Sequence, residues 1–107
     1  MRMNEKKIQE MQILEQTLQN MLLQKQAFQM ELSETNSALE EIKTSGEEVF
    51  RIIGQLMVKS DKKKMLDELA NKEKILNLRL KTIDKQEKSM MERLEGLKKE
   101  IVENKKE

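Results

Sequence analysis

Cysteine, histidine, proline, tryptophan and tyrosine are all missing from this chain of 107 residues. Without cysteine there is no thiolate nucleophile and no disulfide framework, and without cysteine and histidine there is no ordinary zinc site. The lack of histidine also removes the commonest general base at neutral pH. Catalysis by carboxylates or lysines would need a buried pocket to shift a pKa. A compact core normally uses several large aromatics, and this chain has two, Phe28 and Phe50. Long apolar runs are missing as well. The longest are three residues, such as Met21-Leu22-Leu23 and Leu56-Met57-Val58, where a membrane span needs ~20. The first residues, MRMNEKKIQEM, lack the apolar stretch of a secretory signal. An excess of one charge is also missing. With 21 Lys and Arg against 20 Asp and Glu, the net charge is +1, so no basic field gathers nucleic acid. The expectation is a soluble, cytoplasmic protein that is not an enzyme and takes no metal or cofactor.

What remains is patterned. Charged residues make up 38% and apolar residues 36%. A chain rich in Glu, Lys, Leu, Met and Gln and free of proline belongs to the long-helix class. From Met11 to Ile42 the apolar residues follow a heptad, with a positions Met11, Leu18, Lys25, Leu32 and Leu39 and d positions Leu14, Met21, Phe28, Thr35 and Ile42. The pattern returns with a at Leu66, Glu73, Leu80, Glu87, Leu94 and Ile101 and d at Leu69, Leu76, Ile83, Met90, Leu97 and Asn104. Sustained heptads with polar flanks argue for coiled coil. Gly46, after Thr44 and Ser45, suits a helix stop in the left-handed conformation. Ser60 or Asp61 suits the N-cap of the second helix. Gly96 reads as a tolerated surface glycine. The reading is one domain over 1–107, with helix 1 at about 3–45, a β-hairpin at about 48–59 and helix 2 at about 61–104.

If the helices pair antiparallel, the residue numbers in each layer have a constant sum. Setting Ile42 against Leu66 also matches Leu39 with Leu69, Leu32 with Leu76, Phe28 with Leu80, Leu18 with Met90, Leu14 with Leu94 and Met11 with Leu97. Thr35 then meets Glu73, and Asn4 meets Asn104. Polar layers of this kind cost stability but help to fix register. On the flank, Glu31 falls beside Arg79, an attractive pair, and Glu10 beside Glu100, a repulsive one. The expectation is a zipper tight near the connection and loose toward the termini. Ile75 and Leu78 add apolar surface outside the seam.

The connection is too long and too apolar for a simple helix-to-helix turn, which takes ~2–8 residues. It reads Glu47-Glu48-Val49-Phe50-Arg51-Ile52-Ile53-Gly54-Gln55-Leu56-Met57-Val58-Lys59. Two short apolar runs around Gly54 predict a hairpin with a type II′ turn. Its register would set Ile53 against Leu56, Ile52 against Met57 and Arg51 against Val58. A lone two-stranded ribbon is marginal in water and exposes two unpaired edges. It must either fold onto its own helices or join other ribbons, and closure into a barrel would remove the edges.

The run from Val49 to Lys59, followed by the helix containing Leu80-Lys81-Thr82-Ile83-Asp84-Lys85-Gln86-Glu87, resembles a β-type subunit of the prefoldin family. In residue detail the resemblance is strongest from about Val49 to Glu87, and the single apolar hairpin resembles the β type more than the α type. The implied fold is an α-dominated, antiparallel two-helix coiled coil whose hairpin enters an intersubunit β-barrel. The implied oligomerisation residues are Val49, Phe50, Ile52, Ile53, Gly54, Leu56, Met57 and Val58. The implied activity is that of an ATP-independent chaperone, a hexamer of two α-type and four β-type subunits. Such a hexamer holds unfolded polypeptides at the coiled-coil tips and passes them to a group II chaperonin.

At the tip, Met3, Ile8, Met11, Leu97, Ile101 and Val102 supply apolar side chains. Read from the residues alone, they fit ordinary fraying of helix ends as well as a binding surface. The resemblance favours client binding, with flexible methionine suited to varied partners. A coiled-coil adaptor without chaperone activity explains the heptads equally but not the apolar connection. A nucleic-acid binder would rest on Lys62-Lys63-Lys64 and the C-terminal lysines, whose charges nearby acids offset. A membrane-surface helix is disfavoured because the apolar stripe is used by the partner helix.

Overall fold

The computed structural model describes the backbone of residues 2–106 and the side chains of residues 4–103. Helix α1 runs Arg2–Thr44, strand β1 Val49–Ile53, strand β2 Leu56–Ser60 and helix α2 Lys62–Lys106. Two long helices joined by a short antiparallel ribbon are the fold class expected from the heptads and the apolar connection.

Local chemistry sets the boundaries. The α1 terminus is closed by hydroxyls. Thr44 Oγ1 donates to the carbonyls of Glu40 and Glu41 at 3.1 and 3.2 Å, and Ser45 Oγ donates to that of Ile42 at 2.8 Å. The Lys62 ammonium then donates to the Ser45 carbonyl at 2.9 Å, placing a cation at the negative end of the α1 dipole. Gly46 is not left-handed, because Gly54 alone has positive φ among the described residues. The helix therefore ends on side-chain oxygens and a lysine rather than on a glycine cap. Of the two N-cap candidates, Asp61 takes the role. Its carboxylate accepts from the Lys63 amide at 3.0 Å, and its carbonyl accepts the first helical bond, from Met65, also at 3.0 Å.

The ribbon pairs Val49 with Ser60, Phe50 with Lys59, Arg51 with Val58, Ile52 with Met57 and Ile53 with Leu56. This is the register read from the sequence. Gly54 has φ 62° while Gln55 does not enter the positive region, as a type II′ turn requires at its two central positions.

The chain divides into two compact units, Met1–Ala27 with Leu80–Glu107 and Phe28–Arg79. The terminal unit, the first of these, is cored by Met21, Ile83, Leu97 and Ile101. The central unit, the second, is cored by Leu39, Val49 and Leu76, with Thr35 buried among the polar residues. Each a and d position named above, from Met11 to Ile42 and from Leu66 to Ile101, is buried or half-buried. Asn104 lies outside the described side chains, so the layer expected between Asn4 and Asn104 does too. In the central unit the Thr35 hydroxyl is satisfied within its own helix, donating to the Glu31 carbonyl at 2.8 Å.

Two flank pairings differ from expectation. Glu31 pairs with Lys72 at 3.0 Å, and Arg79 instead lies over the Phe28 ring, 5.6 Å from its centroid. Glu10 and Glu100 each find a cation. Glu10 accepts from Arg93 at 2.9 Å, while Glu100 pairs with Lys7 at 3.2 Å. The reason is geometric. A flanking residue has two possible partners on the opposite helix, seven residues apart, and the seam arithmetic does not choose between them. Burial also overturns the expected loosening at the termini. Leu97 is fully buried and Ile101 nearly so, so the seam is closed as far as its last described apolar layer.

Gly96 sits inside α2, and a Cβ there would meet nothing within 4 Å. Glycine costs a helix interior ~1 kcal/mol relative to alanine. Gly96→Ala should therefore stabilise the chain by about that amount and raise the thermal midpoint by several degrees in a circular dichroism melt. A lower midpoint would show that the backbone at this position cannot accept a side chain.

Candidate functional sites: the apolar ribbon and the terminal unit

Alternation along β1 and β2 sorts the ribbon's side chains onto two faces. Val49, Arg51 and Ile53 share one face with Leu56, Val58 and Ser60. Phe50 and Ile52 share the other with Met57 and Lys59. The first face is turned toward the helices at its base. Val49 is buried and Arg51 forms an ion pair with Glu68 of α2. The remaining apolar residues stay open. Phe50, Ile52, Ile53, Leu56, Met57 and Val58 are 44–71% exposed. The sheet has only these two strands among the described residues, so its outer edges carry backbone donors and acceptors with no strand beside them. The ribbon therefore brings together all eight residues read from the sequence as an oligomerisation surface, with Val49 tucked against the helices and Gly54 making the turn.

The six tip residues fare differently. Leu97 and Ile101 are seam residues and offer almost no surface, and Met11 is half-buried. Ile8 and Val102 are exposed. Met3 lies outside the described side chains. Ion pairs brace this unit across the helices, Lys7 with Glu100 and Arg93 with Glu10. The Arg93 guanidinium is held above its ordinary pKa, chiefly by its hydrogen bond to Glu10. Lys25, the cation in the seam, reaches Asp84 at 2.6 Å and Glu87 at 3.1 Å. Its ammonium is likewise held above the usual lysine value, first by the bond to Asp84 and then by that to Glu87. The seam lysine is thus neutralised in place.

One feature of the terminal unit escaped the heptad reading. Leu18 and Leu22 of α1 and Met91 and Leu94 of α2 line an open groove of about 390 Å³, with Gln19, Glu87, Glu95 and Lys98 around it. The available signal was that Leu22 and Met91 both occupy e positions, on the flanks of an antiparallel pair that face each other. Neither belongs to the a/d seam, so a search confined to the seam passes over them.

Other chemistries find no support in the geometry. No group of His, Cys, Asp or Glu among the described residues is arranged to hold a metal ion. No helix of the described residues is long and apolar enough to cross a membrane. Of the three lysines that open α2, Lys62 is engaged in capping α1.

Comparison with known proteins adds a separate line of support. The family described as "Prefoldin subunit" matches residues 5–107. A curated relative from Thermococcus onnurineus (strain NA1), named prefoldin subunit beta, is 42% identical over 89 residues, covering 81% of this chain and 77% of its own. The protein of that name from Sulfurisphaera tokodaii is 37% identical over 95 residues, covering 87% of this chain and 76% of its own. Among solved structures, the prefoldin beta subunit from Thermococcus strain KS-1 superposes with a TM-score of 0.85 at 33% identity, over 95% of this chain and 91% of that one. The beta2 subunit from the same strain, at 20% identity and a TM-score of 0.70 over 81% of this chain and 95% of that one, shares the fold.

Proposed function

The chain belongs to the prefoldin subunit family, whose members are chaperones and not enzymes, and on that premise we propose that it is the β-type subunit of an ATP-independent holdase. The observation that carries this reading is the ribbon. Six exposed apolar side chains and two open strand edges on ten residues of strand form a surface that water does not stabilise. Further ribbons of the same kind would cover it. Closure of several ribbons into a β-barrel removes every edge, and an assembly of two α-type and four β-type subunits supplies the strands. The terminal units then hold non-native polypeptide, with Ile8 and Val102 as the exposed contacts, Met3 and Met11 completing the set, and Leu97 and Ile101 in the seam. Each contact is weak, and several terminal units acting on one client supply avidity. The held chain passes to a group II chaperonin in the cytoplasm.

Native mass spectrometry with and without an α-type partner, paired with light scattering of an aggregating client, tests this. A hexamer mass with the partner and suppressed scattering are expected without added ATP. A chain that stays monomeric with the partner and leaves scattering unchanged would instead match a passive coiled-coil adaptor.

A further inference from the structure

The charges in the seam are sorted by helix. From Met11 to Ile42 the a and d positions of α1 hold one charge, Lys25, and from Leu66 to Ile101 those of α2 hold two, Glu73 and Glu87. In the terminal unit the opposite signs meet. The Lys25 ammonium reaches Glu87 at 3.1 Å and Asp84, on the flank of α2, at 2.6 Å. The Lys25 and Glu87 side chains are 26% and 18% exposed, and the residues one turn before them, Met21 and Ile83, are buried. Two half-buried charges in an otherwise apolar seam cost stability relative to leucine. Nor does α1 itself offer Lys25 a substitute for these acids, since it carries no Asp or Glu between Glu15 and Glu31.

We propose that Lys25 and Glu87 choose the helix partner: they direct α1 to pair with α2 and exclude pairing between like helices of neighbouring subunits. Subunits of this family assemble with one another, so identical heptads are brought close together, at an effective concentration that rivals the tether between α1 and α2. When two copies of one helix pair in parallel, their a positions face each other across the seam. Two α1 helices would then set Lys25 on Lys25, with no carboxylate within five residues along either helix. Two α2 helices would set Glu87 on Glu87 and Glu73 on Glu73. Like charges so placed repel strongly in a partly desolvated seam, whereas the pairing of α1 with α2 joins opposite signs. A seam of leucine alone would bury more apolar area but would hold like and unlike helices equally. The pair of Lys25 and Glu87 thus gives up some stability for choice of partner. It needs no client, and so stands apart from the holdase reading.

The chain has no cysteine, so a single Leu18→Cys, at an a position of α1, reports pairing of like helices. Two such helices in parallel set their thiols opposite each other, where they oxidise to a linked dimer. With Lys25 and Glu87 intact, the full chain in a glutathione buffer should show only a trace of dimer on non-reducing electrophoresis. Adding Lys25→Leu with Glu87→Leu should raise the dimer about tenfold. Lys25→Gln with Glu87→Gln, which keeps the seam polar but uncharged, should raise it as well. Reversing the charges, Lys25→Glu with Asp84→Lys and Glu87→Lys, should return it to a trace. Unchanged dimer in either neutral variant overturns the proposal, because the connection alone or added apolar area would then decide the pairing. Abundant dimer in the presence of Lys25 and Glu87, or dimer that persists after charge reversal, overturns it too. Pairing of like helices is itself an association of chains, so these outcomes do not depend on assembly through the ribbon or on client binding.

Discussion

Ile52→Asp combined with Met57→Asp should leave the chain helical and abolish its assembly with other subunits. The two residues are cross-strand partners on the ribbon face opposite the one that Arg51 ties to Glu68, and both are strongly exposed in the single chain. In the isolated chain the substitutions therefore touch no packed core, and α1 and α2 keep their seam. In the proposed assembly the same positions would become interior, where an unpaired buried carboxylate costs ~3–5 kcal/mol. One such charge per subunit lowers association more than a hundredfold, and here there are two, directly opposed. Native mass spectrometry should show free subunits while far-ultraviolet circular dichroism is unchanged. An undiminished oligomer mass would refute the ribbon as the assembly surface. Ile53→Asp with Leu56→Asp, next to the turn, should act in the same direction.

The terminal unit yields the second large effect, because its burial pattern separates two roles that the sequence merges. Leu97→Ala removes a side chain with no solvent exposure and should cost about 2–5 kcal/mol, visible as a lower midpoint in urea. Ile8→Ser with Val102→Ser changes surface residues and should leave that midpoint nearly unmoved. The holding activity should respond in the opposite sense relative to stability. The surface pair loses client protection with the fold intact, whereas any loss in Leu97→Ala follows its unfolding curve. If the surface pair protects an aggregating client as well as the unaltered protein does, the tip contact is wrong.

Much of the site was legible because its signals are local or strictly periodic. Glycine between two apolar runs specifies a turn type, and the turn type dictates which residues oppose one another. The pairing of Ile52 with Met57 follows from those few residues. The seam was equally legible, since a repeat of seven puts the same positions on one helix face regardless of what lies opposite. Even its exceptions were visible, as Lys25 and Thr35 stand where leucine is expected. What the repeat cannot encode is the strength of burial at each layer. Ile42 and Leu97 both hold d positions, yet Leu97 is fully enclosed and Ile42 only half-buried. The flank also stayed ambiguous, which is why Glu10 was set against Glu100 rather than Arg93.

The amino-acid sequence by itself therefore determined the two helices, the ribbon with its turn and register, and the set of residues that would be hidden between the helices. Those depend on backbone propensity and on a period, both of which are properties of consecutive residues. The tertiary structure decided the rest. It chose Lys62, from the far side of the connection, to close α1. It chose which of two flank partners each charge would meet, and it turned one ribbon face toward α2 through Arg51 and Glu68. It also left a groove at Leu22 and Met91. Each of these depends on how side chains remote in sequence approach one another in three dimensions, and a distance of that kind is not a property of any stretch of chain.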